Sequence, residues 1–201
     1  MVFPHIKTSH MGKELLRTSS ANPNPSSGRV NTVPAGPNLG TLLLDELKDI
    51  YGAEKHQLLL LPLMKNAASS LKLRSVLAGH LDNTREHVRR LEEVFDSLGQ
   101  TTEERRSEAI LGIVLETETV IGETAPGTAT RDAGLILSAQ KLEHYEIATY
   151  GSLSQLARTL EHDELADILE SILYEEKDAD DLLTSLAENY INGEASRENP
   201  S

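Results

Sequence analysis

"SAQKLEHYEIATYGSL", Ser138 to Leu153, has the apolar spacing of a helix, yet Glu143 and Glu146 stand on its inward stripe where leucines belong. The full stripe runs Ile136, Ala139, Glu143, Glu146, Tyr150, Leu153 and Ala157. Two glutamates three residues apart share one helix face. A carboxylate buried without a partner costs several kcal/mol or takes up a proton, so other parts of the chain must compensate these two.

Three more long stripes flank this one. Leu43, Leu47, Ile50, Glu54, Gln57, Leu61 and Met64 predict a helix over about residues 39–67, ending in the polar "KNAASS". Leu73, Leu77, His80, Thr84, His87, Leu91, Val94 and Leu98 predict a second over about 71–98, with Gly99 as its stop. The short gap between them makes an antiparallel hairpin. Leu165, Leu169, Ile172, Glu176, Ala179, Leu183, Leu186 and Tyr190 form the fourth stripe, and His162 with Asp163 marks the turn that makes a second hairpin. Between the hairpins, Thr101 with Glu104 has capping-box form. Ile110, Val114, Thr117 and Ile121 then mark a shorter amphipathic helix, closed by Pro126 and Gly127. The expected fold is all-α, a four-helix bundle of two antiparallel hairpins with a helical crossover, over residues 39–191. Residues 1–38, rich in Ser, Asn, Pro and Gly, read as a flexible tail, and residues 192–201 as a short polar one.

Composition supports one helical domain: 201 residues, 38% hydrophobic, 3% aromatic and no Trp. A formal charge of −13 argues against nucleic-acid and anionic-membrane partners. No apolar run is long enough for a signal-peptide core or a membrane span, so a cytoplasmic location is expected. Without cysteine there is no disulfide framework, and any metal must be held by nitrogen and oxygen. The sequence also lacks a Gly-rich phosphate loop and a nucleophile elbow.

Seven polar residues interrupt the four stripes: Glu54, His80, Thr84, His87, Glu143, Glu146 and Glu176. Singly, such a glutamate is ordinarily a boundary residue whose head reaches water, and such a histidine a satisfied core residue. Together, at compatible depths and with no Lys or Arg on the stripes between them, they call for a positive charge. One or two metal ions supply it; a hydrogen-bonded polar layer without metal is the alternative. His80 and His87 lie two turns, about 10 Å, apart along the axis, so both cannot easily reach one ion, and spacing does not choose between them. Asp180, four residues after Glu176 and one step off the stripe, is a further candidate ligand or outer acceptor. Tyr51, Tyr145 and Tyr150 are candidate donors to the carboxylates.

"DIYGAEKHQLL", "GHLDNTREHVRRLE", "AQKLEHYEIATYGSL" and "EEKDADDLLTSLA" resemble the ferritin-like proteins of the YciE/YciF type, over about Leu39 to Tyr190. The resemblance implies a ferritin-like bundle with a di-metal site, commonly taken as iron, in dimeric proteins of bacterial stress responses. The matching positions are Glu54, His80, Glu143, Glu146, Glu175, Glu176 and Asp180. Two departures stand out: Asp82, Asn83 and Thr84 replace a usual Glu-Glu-Thr, and His87 a usual Gln. Asn83 would weaken the site if the second Glu is a ligand, and His87 would compensate.

The stripes imply a cytoplasmic protein binding one or two iron or manganese ions through Glu54, Glu143, Glu146 and Glu176 with His80 or His87, and with Tyr51 or Tyr145 tuning them, and the resemblance implies a homodimer. Oxidation of Fe(II) by oxygen or peroxide, and manganese-dependent peroxide disproportionation, are the chemistries such a site would allow. The rival is a non-enzymatic helical interaction module whose polar layer specifies pairing.

Overall fold

The computed structural model describes residues 38–198, and the expected N-terminal tail lies outside them but for Asn38. Asn38 is the N-cap of α1, Leu39–Ala67, its side chain accepting from the Thr41 backbone N–H at 2.9 Å. Ser70 caps α2, Leu71–Ser97. That helix ends where expected, because Gly99 takes φ +61° while its N–H and that of Gln100 satisfy carbonyls of the last turn. After α3, Glu108–Glu123, come α4, Ala129–Thr159, and α5, Asp163–Leu186. No strand occurs among the described residues.

α1 packs on α2 and α4 on α5, while the α2–α5 and α1–α4 contacts close the four-helix ring. α3 lies outside it, against α4 and α1. The two hairpins and the helical crossover are thus as the periodicity implies. Asp132, buried in the first turn of α4, ties one hairpin to the other. It accepts from the Ser69 and Ser70 backbone N–H groups, each at 2.8 Å, and from Ser69 Oγ at 2.6 Å.

Two expectations give way. The capping box at Thr101 does not form, and Ser107 caps α3 instead. Glu103 and Glu104 are engaged elsewhere, paired with Lys48 at 2.6 Å and Lys55 at 2.5 Å, which holds the segment against α1. The polar C-terminal segment is not a simple tail either. α5 continues through a wide π turn, Ala187–Ile191, into a short α6, Asn192–Ala195. Beyond it the Glu198 carboxylate accepts from the Ala129 and Thr130 N–H groups at 2.7 and 2.9 Å, where the first-turn donors of α4 favour an anion.

The close approach of the crossover to α1 depends on Gly52. A Cβ built there would sit 2.2 Å from the Arg105 carbonyl oxygen, a backbone atom held by the Arg105 N–H to Lys48 O bond of 3.0 Å. Gly52→Ala therefore displaces the segment rather than a side chain, and the expected cost is about 1–3 kcal/mol despite alanine's better helix propensity. A urea midpoint equal to or above that of the parent would contradict this.

Candidate metal centre

Above and below the middle of the bundle the core is ordinary: Leu47 and Ile50, Leu61 and Met64, Leu73 and Leu77, Leu91 and Phe95, Leu169 and Ile172 are all buried. Between these apolar layers lies one polar layer. α1 contributes Glu54 and Gln57, α2 His80, Thr84 and His87, α4 Glu143, Glu146 and Tyr150, and α5 Glu176. Glu54, His87, Glu146 and Glu176 have 0% exposure, and His80, the most open ligand candidate on the stripes, 5%.

The layer divides into two groups that could each hold a metal ion. One is His80, Glu143, Glu146 and Glu176; the other is Glu54, His87 and Glu176; in each, one donor atom per residue lies within 4.8 Å of the others. The two-turn separation of the histidines, which left the choice between them open, places one histidine in each group. Glu176 belongs to both. Its Oε1 is 2.8 Å from His87 Nδ1 and its Oε2 is 3.9 Å from His80 Nδ1. Glu54 Oε1 lies 3.3 Å from His87 Nδ1, and Glu143 Oε1 3.5 Å from His80 Nε2.

Surrounding groups fix how these side chains point. Glu175 Oε2 lies 2.9 Å from His87 Nε2, and Arg90 Nη2 donates to the same oxygen at 2.5 Å. This leaves His87 Nδ1 facing Glu54 and Glu176. Gln57 Nε2 donates to Glu146, and its Oε1 accepts from His80 Nε2 at 3.2 Å, while His80 Nδ1 lies on the Glu176 side at 3.9 Å. Tyr150 O–H donates to Glu54 Oε1 at 2.5 Å. Despite these supports, Oε2 of Glu54, Glu143 and Glu146, both oxygens of Glu176 and Nδ1 of both histidines are buried without a hydrogen-bond partner. The short His87–Glu176 approach is thus an electrostatic contact that lacks hydrogen-bond alignment.

The electrostatics record the same crowding. Burial, reinforced by Glu176, holds the Glu143 carboxyl well above its usual range, and burial with Glu54 does so for Glu146. Burial lowers the His80 imidazole. It opposes the charge on His87 too, but Glu176 and Glu54 more than offset it and raise that imidazole to about 10. Glu176 is lowered in turn, against its burial, by His87 and His80. Four carboxylates share this core, and the shifts at Glu143 and Glu146 favour their neutral forms.

Not every candidate joins the layer. Asp180 lies outside both groups, accepting from Gln140 at 3.3 Å and facing His144 at 3.7 Å. Thr84 donates to the His80 carbonyl of its own helix. Of the tyrosines, Tyr150 alone reaches a candidate ligand. Tyr51 donates to Glu92 and Tyr145 shares a hydrogen bond with Ser107, so the expectation that one of those two tunes the site does not hold. Gln57 bridges two ligand candidates, Glu146 and His80, a role that its place on the α1 stripe does not reveal.

Fold and layer together define an all-helical bundle with a buried carboxylate–imidazole cluster at its centre. The chain belongs to the family described as Domain of unknown function (DUF892), whose model matches residues 38–196. It is 39% identical over 150 residues to protein YciF of Escherichia coli, covering 74% of this chain and 90% of that protein. The crystal structure of YciF, described as a stress protein, superposes with a TM-score of 0.73 at 36% identity, covering 77% of this chain and 98% of that one. YcfI of Rhodopseudomonas palustris gives 0.73 at 37%, covering 76% and 97%. A protein from Xanthomonas campestris gives 0.62 at 19%, covering 79% and 97%, a likeness of fold alone. No helix among the described residues is long and apolar enough to cross a membrane.

Proposed function

We propose that this chain is a di-metal protein of the ferritin-like type, holding one iron or manganese ion in each half of the layer with Glu176 between them. The observation that carries the reading is the set of orphaned, inward-facing donor atoms on Glu54, His80, His87, Glu143, Glu146 and Glu176. Two divalent ions match the charge of four carboxylates, and the donor set of oxygen and imidazole nitrogen suits iron and manganese. Glu54, His87 and Glu176 would hold one ion, and His80, Glu143, Glu146 and Glu176 the other. Glu175 and Gln57 would keep the two Nδ1 atoms aimed inward, and Tyr150 would hold Glu54 in place. Iron or manganese held by these residues would supply redox chemistry toward oxygen or peroxide. The protein's own contribution is a fixed ligand set and retained protons on Glu143 and Glu146 that leave as ions enter.

With a relative described as a stress protein, the role we assign is iron or oxidant handling during stress, in the cytoplasm and as a homodimer. The direct test is elemental analysis of chain purified without chelator or affinity metal, then Fe(II) or Mn(II) titration. About two ions per chain is the expected result. A chain that stays metal-free through the titration would favour the second reading, a structural polar layer. That reading draws on the Gln57, Tyr150 and Glu175 hydrogen bonds and on the provisional description of YcfI as a structural protein.

A further inference from the structure

The two halves of the layer differ in what lies outside them. Tyr150, fully buried, covers the Glu54–His87 half, its ring set edge-on to that of His87 at 6.4 Å. The His80 half instead meets a cleft of about 360 Å³ between α2 and α5, with His80 and Glu143 at its base. This volume falls at the lower end of the range of small-molecule sites, roughly 300–1,000 Å³. Val76, Leu77, Ala179, Leu182 and Leu183 form its apolar walls, while Ser75, Asn83, Glu175 and Asp178 supply the polar groups nearer the mouth.

Gly79 borders open space at the cleft. It lines the cavity from an exposed position on α2, and a Cβ built there meets no atom within 4 Å. Glycine in the interior of a helix sacrifices stability, and neither a positive φ nor a close backbone contact requires it here. Charge narrows the class of occupant. No lysine or arginine lines the cleft to pair with an anion. Glu175 is already engaged by Arg90 and His87, and Asp178 is exposed at the rim, so the walls offer a cation little beyond what water gives it; Glu143 at the base faces His80 at 3.5 Å and is one of the donors assigned to the centre, where an ion takes it up.

We propose that the α2–α5 cleft binds a small uncharged organic molecule, its apolar body against Leu77, Ala179 and Leu183 and its single hydroxyl or carbonyl end toward His80 and Glu143. The cleft thereby makes the His80 half the side on which an exogenous ligand meets the centre. What the polar end meets there rests on the di-metal reading; occupancy of the cleft does not.

Three probes of one shape and different charge, benzyl alcohol, benzoate and benzylamine, are titrated into the full chain, metal-free and manganese-loaded. Amide shifts are read in the metal-free chain, and manganese-enhanced relaxation of probe protons in the loaded one. Benzyl alcohol is expected to shift the Gly79, Ala179 and Leu183 amides saturably and to bind at least about tenfold more tightly than either charged probe. Gly79→Leu, which adds a side chain at a lining position where a Cβ meets no atom, is expected to weaken it about tenfold or more at unchanged ion content. Leu182→Glu, on the exposed wall, provides a second variant that places charge in the cleft without touching the core. Shifts confined to other residues, tighter binding of a charged probe, or unchanged affinity in both variants would overturn the proposal. Ion uptake without probe binding defeats this inference alone; probe binding without ion uptake defeats the di-metal reading and leaves the organic-ligand site standing.

Discussion

Glu176→Gln is expected to remove both ions from the chain at once, whereas Glu54→Gln removes one. The difference follows from topology. Glu176 is the one residue common to both donor groups, its two oxygens directed separately to the two histidines. Glu54 serves the His87 half alone. Loss of an outer hydrogen-bond partner typically weakens a metal site by about 10–100-fold, so loss of a shared carboxylate should exceed that at each half. In numbers, about two ions per chain become fewer than about one half in Glu176→Gln and about one in Glu54→Gln, by elemental analysis after dialysis against free Mn(II). Helicity should be retained, because the neutral amide is cheaper to bury than the carboxylate and the apolar layers on either side are untouched. A Glu176→Gln chain that still held two ions would end the shared-ligand assignment. Loss of one ion from each variant alike would mean that the two groups are independent sites.

Much of this centre was legible because a helix of 3.6 residues per turn writes its buried face into the sequence. Glutamates and histidines on four such stripes stand out against leucine. The hairpins were legible for a related reason: short polar gaps at "KNAASS" and around His162 leave consecutive helices no choice but to reverse. What was hidden depends on tertiary partners. Gln57 is a neutral amide on a stripe, and only the fold shows that it faces Glu146 on one side and His80 on the other. Tyr150 looks no more suited to be a donor than Tyr51 or Tyr145 until the α1–α4 contact brings it to Glu54. The capping box at Thr101 met local rules, yet lysines of α1 took the glutamates at positions 103 and 104. The polar residues after Ile191 carried no hydrophobic signal, and Glu198 finds its role only because the start of α4 lies within reach.

The metal-free chain should lose stability as pH rises, and bound metal should remove that loss. Glu143 and Glu146 have carboxyls raised in the folded state, so their contribution is full below the ordinary carboxylate value of 4.5 and is lost as pH climbs through the raised folded values. His87, raised from 6.5 to about 10, contributes below 6.5 and loses that contribution on the way to 10. Glu176 and His80 are lowered and act with the opposite sign, Glu176 losing its contribution only as pH falls below 4.5 and His80 imposing a cost only below 6.5. Above neutrality His87, raised to about 10, sets the response, with Glu143 and Glu146 acting in the same sense, and the metal-free chain should melt progressively lower between pH 7 and about 9. Metal entry expels the same protons, so Mn(II) affinity should climb over the range in which the metal-free fold weakens. At an ion concentration of about 100 Kd each site adds about 2.7 kcal/mol, which for a domain of this size raises Tm by roughly 5–10 °C per site. Melting curves with chelator and with Mn(II), at pH 6, 7 and 8, should show a metal-induced rise that widens with pH. A rise that is constant or narrows would mean that the protons held by Glu143, Glu146 and His87 do not compete with the ions, and hence that the ions bind elsewhere.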